Sequence, residues 1–245
     1  MSTPAPGGTR TFVLGFPVDP VTLAEAAAWV ATAASGREGG KLVVTLNPEI
    51  VVQARADERL AAALRSADLS VADGVGVSWA ARRSGGRLPG RVPGVELVVE
   101  ALRLGGPGLR VFFLGGAPGV AGRAASEAAR RFGTTVAGSR DGYFERPRQV
   151  PEVCAEVASS GADLLLAGLG AGQERFLFEN AAALGAKVMV GVGGTLDVLA
   201  GAVKRMPAWT SRLGVEWLFR VLLDPKRWRR APRLARFVWL VLRRD

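Results

Sequence analysis

The chain has 245 residues, 49% of them hydrophobic, which suits one α/β domain with an appendage and excludes global disorder. It contains no histidine, which excludes His-based triads and His-ligated metal sites, and its single cysteine, Cys154, excludes an internal disulfide framework and suits a reducing compartment. Its formal charge of +10 is uneven: Lys204 to Asp245 carries 12 basic and three acidic residues, so an anionic partner is expected at that end.

The N-terminus, Met1-Ser-Thr-Pro-Ala-Pro-Gly-Gly, lacks an apolar secretory core, so no signal peptide is expected. Strand candidates follow at Lys41–Leu46, Leu69–Ala72, Arg110–Leu114, Thr134–Gly138, Asp163–Ala167 and Lys187–Gly191, with helix-like stretches between them at Pro48–Ala67, Val95–Leu104 and Val120–Phe132. Continuously apolar strands alternating with helices predict βαβ units and a parallel sheet covered on both faces. No apolar stretch reaches the ~20 residues needed to span a bilayer. The protein is therefore expected to be cytoplasmic unless its tail draws it onto a surface.

In an open parallel sheet, ligands bind beyond the carboxyl ends of the strands. There the sequence places Thr45-Leu-Asn47, Asp73-Gly74, Gly115-Gly116, Gly168-Leu-Gly-Ala-Gly-Gln173 and Gly193-Gly-Thr-Leu-Asp197. Glycine-rich turns fit a phosphate-bearing ligand and equally fit ordinary strand–helix turns. No Gly-Lys-Ser/Thr phosphate loop, strict G-x-G-x-x-G fingerprint or Asp-x-Asp pair is present, so neither cofactor nor metal is expected. Asp73 is either a general base or a helix N-cap. Asp197 either binds a nucleobase or serves the first turn of its helix. Thr45 and Asn47, before Pro48-Glu49, read as a helix start. Arg91, in a Pro- and Gly-rich loop, is either solvated or a planar fork for a diphosphate.

Along almost its whole length, from about Phe12 to Trp228, the chain resembles the WecG/TagA/CpsF glycosyltransferases. The matching segments include Thr45-Leu-Asn-Pro-Glu49, Ala72-Asp-Gly-Val-Gly-Val77, Arg91-Val-Pro-Gly94, Phe113-Leu-Gly-Gly116, Asp141-Gly-Tyr-Phe144 and Gly191-Val-Gly-Gly-Thr-Leu-Asp197. The series closes with Lys204-Arg-Met-Pro207, Gly214-Val-Glu-Trp-Leu-Phe-Arg220 and Asp224-Pro-Lys-Arg227. The resemblance implies a Rossmann-like core and an inverting, metal-independent transferase. It also implies a UDP-sugar donor such as UDP-N-acetylmannosamine and a polyprenyl-diphosphate-linked sugar acceptor, in cell-wall or surface-polysaccharide synthesis. It places Asp73 as general base with Thr45 and Asn47 beside it, Arg91 and Gln173 at the donor or reacting groups, and Tyr143 and Asp197 at the nucleotide. It further implies that Arg220, Arg227 and Arg230 meet the acceptor's diphosphate. The chain departs from the family in reading Gly168-Leu-Gly-Ala-Gly-Gln-Glu174, which lacks a proline and one residue before Gln173. The family's Arg-Ala-Pro is likewise altered, to Arg205-Met-Pro207.

The expected division is a catalytic domain, residues 1–203, and a basic helical appendage, residues 204–245. Asp224-Pro225 reads as a helix start and Pro232 as a break or kink. Arginines interleaved with Trp and Phe suit the anionic inner face of a membrane, so peripheral attachment is expected. The competing reading is a non-catalytic module for nucleic acid or an anionic surface. No zinc-finger or RNA-recognition motif supports nucleic acid, which is not the expected partner. Oligomeric state is left open.

Overall fold

The computed structural model describes residues 8–202 and 231–243. The chain opens on an antiparallel hairpin, β1 (Thr11–Val13) and β2 (Phe16–Val18), turned by Leu14 and Gly15 with φ of 51° and 89°. Two successive positive φ angles match the twist of tight hairpins. Helix α1 (Leu23–Ser35) follows, started by a capping box in which Thr22 and Glu25 serve each other's backbone N–H groups.

The remaining strands form one six-stranded parallel sheet: β3 (Lys41–Leu46), β4 (Leu69–Ala72), β5 (Arg110–Gly115), β6 (Thr135–Arg140), β7 (Leu164–Gly168) and β8 (Val188–Gly191). Their spatial order is β4-β3-β8-β7-β5-β6. All six expected strands are present, with ends moved by one or two residues at most.

The connecting helices are α2 (Pro48–Ala54), α3 (Glu58–Arg65), α4 (Val75–Arg83), α5 (Gly94–Gly105), α6 (Val120–Phe132), α7 (Val150–Ser159), α8 (Gln173–Glu179), α9 (Ala181–Leu184) and α10 (Thr195–Leu199). After the residues not described comes α11 (Ala231–Leu242). The stretch Pro48–Ala67, expected as one helical segment, is two helices. Asp57 interrupts it because its carboxylate caps α3, accepting from the N–H groups of Arg59 and Leu60 at 3.1 Å each.

Two apolar layers sandwich the sheet. One holds Leu42, Val44, Leu46, Phe112, Leu165 and Met189 against α2, α3, α4, α7, α8, α9 and α11. The other holds Val43, Leu69, Val111, Phe113, Leu164 and Val190 against α1, α5, α6 and α10. Alternate residues of each strand thus enter opposite layers, as the pleat requires.

The outer edge of β4 is covered by the hairpin. Asp19, only 3% exposed, donates its backbone N–H to Ser70 O, accepts from the Ser70 N–H through Oδ2 and receives Arg10 Nε on Oδ1 at 2.7 Å. Arg10 also donates to the carbonyls of Ala67 and Asp68. A paired and covered edge does not recruit a further strand.

Candidate active site

The strand registers bring the carboxyl ends level: Leu46 lies opposite Ala72, Ala167 opposite Gly191, Gly115 opposite Gly168, and Leu114 opposite Arg140. Backbone bonds continue this alignment into the loops. Val92 N–H donates to Ala72 O, Asp73 N–H to Leu46 O, Val192 N–H to Ala167 O, Gly116 N–H to Gly168 O and Gly142 N–H to Gly116 O. The result is one stitched rim crossing the whole sheet, about 24 Å wide at ~4.8 Å per strand spacing. Every expected core residue, namely Thr45, Asn47, Asp73, Arg91, Tyr143, Gln173 and Asp197, stands on this rim.

At the β3–β4 end lie Thr45, Asn47, Asp73 and Arg91. Thr45 is buried, 7% exposed, and its Oγ1 donates to Gly191 O at 3.3 Å, tying β3 to β8. Asn47 caps α2: its Oδ1 accepts from the N–H groups of Glu49 and Ile50 at 3.1 Å each, with Pro48 opening the helix. The helix-start reading of the sequence therefore describes what Asn47 does in the fold. Asp73 differs. The N-cap of α4 is Gly74, with φ of 91°, so the half-buried Asp73 lies one residue outside the cap position. Arg91 is half-buried beside it, its neighbour Val92 bonded to the last residue of β4.

At the β5–β6 end, Asp141 Oδ1 accepts from the Tyr143 N–H at 2.9 Å, and this turn presents the Tyr143 ring 77% exposed. A large aromatic ring left in water at a ligand edge is a ready stacking surface. Asp197 sits half-buried in the first turn of α10, and its carboxylate makes no hydrogen bond or ion pair among the described residues.

Between these ends lies a pair whose second member carries no expected role. Gln173 is 6% and Glu174 4% exposed. Gln173 Oε1 accepts from Leu169 N–H at 3.3 Å and Gly193 N–H at 3.2 Å, while its Nε2 donates to Glu174 Oε1 at 2.8 Å. Burial pushes the Glu174 carboxyl above its ordinary range, opposed by the bond from Gln173. The sequence shows Glu174 only as one of three consecutive polar residues, Gln173-Glu-Arg175, ahead of Phe176-Leu-Phe178, where solvent exposure is the ordinary reading.

Arg220, Arg227 and Arg230 lie outside the described residues. Beyond them α11 packs onto α2, burying Phe237 and Val241 in the layer under that helix. Pro232 lies in the first turn of α11, and the preceding helix expected from Asp224-Pro225, which Pro232 was to break or kink, lies outside the described residues.

A protein of Bacillus spizizenii named N-acetylglucosaminyldiphosphoundecaprenol N-acetyl-beta-D-mannosaminyltransferase is 35% identical over 209 residues, covering 84% of this chain and 80% of that protein. A Bacillus subtilis protein of the same name is 31% identical over 212 residues, with the same coverage. Residues 11–245 match the sequence pattern of one family across the strands, the rim and the basic tail alike. The chain belongs to the glycosyl transferase WecG/TagA/CpsF family and is a glycosyltransferase.

Proposed function

We propose that the protein transfers N-acetylmannosamine from its UDP donor to N-acetylglucosamine carried on a polyprenyl diphosphate. The observation that carries this reading is the rim, where Asp73 and Arg91 stand at one end and Tyr143 and Asp197 further along it. The names of the two relatives support the sugar and the lipid-linked acceptor. In the proposed step the acceptor hydroxyl oxygen attacks the anomeric carbon of the donor. A new glycosidic C–O bond forms, the bond from that carbon to the diphosphate oxygen breaks, and UDP leaves with the bonding electrons. The hydroxyl proton passes to the Asp73 carboxylate, and a single displacement inverts the anomeric centre.

Tyr143 and Asp197 take the nucleotide, by ring stacking and by accepting hydrogen bonds. Arg91, with Arg220, Arg227 and Arg230 from the tail, balances the charge on the two diphosphates. Thr45, Asn47 and Gln173 act by building the rim that the reactants occupy. No metal ion is required in this scheme.

The tail, residues 204–245, is proposed to hold the protein on the inner face of the cell membrane. No helix among the described residues is long and apolar enough to cross a bilayer. Instead α11 exposes Val238, Trp239 and Leu242, each more than 40% accessible, beside exposed Arg233, Arg236 and Arg243. Arg243 stacks 4.5 Å from the Trp239 ring centroid. An apolar strip fringed with arginines fits the headgroup layer of an anionic leaflet.

The test is a donor screen against lipid-linked N-acetylglucosamine, read by mass spectrometry with chelator present. The reading predicts UDP release and one added N-acetylhexosamine, most with UDP-N-acetylmannosamine. Turnover with UDP-glucose or a UDP-uronic acid instead would correct the sugar, and no transfer from any UDP-sugar would remove the reading.

A further inference from the structure

We propose that Glu174 is a positioning residue for the donor side of this reaction: its buried carboxyl fixes the Gln173 carboxamide so that one oxygen clasps the loops after β7 and β8. Only the kinetic consequence rests on the transferase reading; the geometry stands without it.

The two ends of a carboxamide have nearly the same size and opposite hydrogen-bonding character. Gln173 Oε1 meets two backbone donors, Leu169 N–H and Gly193 N–H, one from each loop. A flipped amide would aim its own N–H groups at those half-buried donors and leave both without their acceptor. What selects the correct orientation is an acceptor at the other end, and Glu174 Oε1, 2.8 Å from Nε2, supplies it.

The pair lies directly on the backbone of β8. A Cβ added to Gly191 would stand 2.8 Å from Glu174 Oε1 and 3.0 Å from Gln173 Nε2, so residue 191 has no room for a side chain. From the other side Gly191 O accepts from Thr45 Oγ1. A single buried stack therefore runs from the β7 loop through Gln173 and Glu174 to β8 and on to β3. Both clasped loops border the proposed donor site, and the second leads into Asp197. Small displacements of groups that orient a substrate cost far more rate than stability.

The test compares Glu174→Gln, which keeps an acceptor oxygen, with Glu174→Leu, which removes it. The Leu variant is expected to raise the KM for the UDP-sugar and the Kd for UDP about tenfold or more. Its acceptor KM should stay within about twofold, and the Gln variant within about threefold of wild type in every parameter. Amide hydrogen exchange at Leu169 and Gly193 should quicken in the Leu variant alone. Unchanged exchange and UDP affinity in a folded Leu variant would overturn the proposal. So would equal losses toward donor and acceptor, or a Gln variant as impaired as the Leu variant. If Glu174→Leu does not fold, the wild-type protein decides through the Gln173 side-chain amide. One Nε2 proton is expected to be protected from exchange, and two freely exchanging protons would contradict the clasp. Because exchange and UDP binding need no turnover, failure of the clasp and failure of the transferase reading give different results.

Discussion

Asn47 and Asp73 follow neighbouring strands and precede helices, at different positions relative to the helix start. Asn47 spends its oxygen on two N–H groups of α2, whereas Asp73 stands one residue before the cap of α4. In the proposed mechanism Asp73, not Asn47, takes the proton of the acceptor hydroxyl. Asp73→Asn is accordingly expected to lower kcat by about 10²–10⁴-fold, with UDP affinity and melting temperature little changed. Wild-type turnover in that variant would remove Asp73 from the mechanism. Glu174 leads to a second expectation at this scale. Its folded-state pKa lies above the ordinary 4.5, so the folded protein holds a proton that the unfolded chain releases. Stability from this group is full below the unfolded value and is lost as pH rises through the raised folded value. Urea unfolding of Glu174→Gln should therefore show less loss of stability than wild type over that rise. Identical pH profiles would contradict a proton retained on burial. Neither property could be read from sequence alone. The Asp73-Gly74 pair fits a cap or a base equally, and the fate of Glu174 depends on packing between β7 and β8.

The central strands were legible because each is a short, continuously apolar run that only a two-faced parallel sheet can bury. The hairpin was not, because three-residue strands turned by Leu14-Gly15 carry almost no alternation. Its role is nonetheless specific. Through Asp19 and Arg10 it closes the β4 edge, bonding to residues 67–70 at the amino end of that strand. Asp19→Ala leaves the buried Ser70 N–H without its acceptor and takes one partner from Arg10, so it is expected to cost about 2 kcal/mol. Chemical denaturation measures this, and a loss below about 1 kcal/mol would mark the pair as ornamental. The split between α2 and α3 escaped notice because Asp57 reads as one more polar residue until its capping bonds are seen. At the C-terminus, α11 divides its apolar residues between two partners. Phe237 and Val241 face α2, while Val238, Trp239 and Leu242 face outward. Trp239→Ala is expected to weaken sedimentation with anionic vesicles while leaving the melting temperature near wild type. Arg243→Ala should weaken it about fivefold, the worth of ~1 kcal/mol for one basic residue near such a surface. Unaltered vesicle binding in both variants would take α11 out of membrane attachment.

Over the whole molecule, six strands with level carboxyl ends gather residues far apart in sequence onto one rim. The helices leave that rim on both sides of the sheet, so its loops are held from below. The body is mostly neutral, and in the proposed reaction the basic residues of 204–245 supply the counter-charge for two diphosphates. Part of this site was visible in advance, because motifs following apolar runs must fall at strand ends. The stitching between the loops was not, since it depends on register. The most direct check is backbone hydrogen exchange across the protein with and without UDP. Protection is expected to fall on residues 45–47, 73–76, 91–94, 115–117, 141–143, 168–173 and 191–197, and nowhere else outside the tail. Protection at the amino ends of the strands, or on one helix face away from the rim, would contradict the placement of the transferase site.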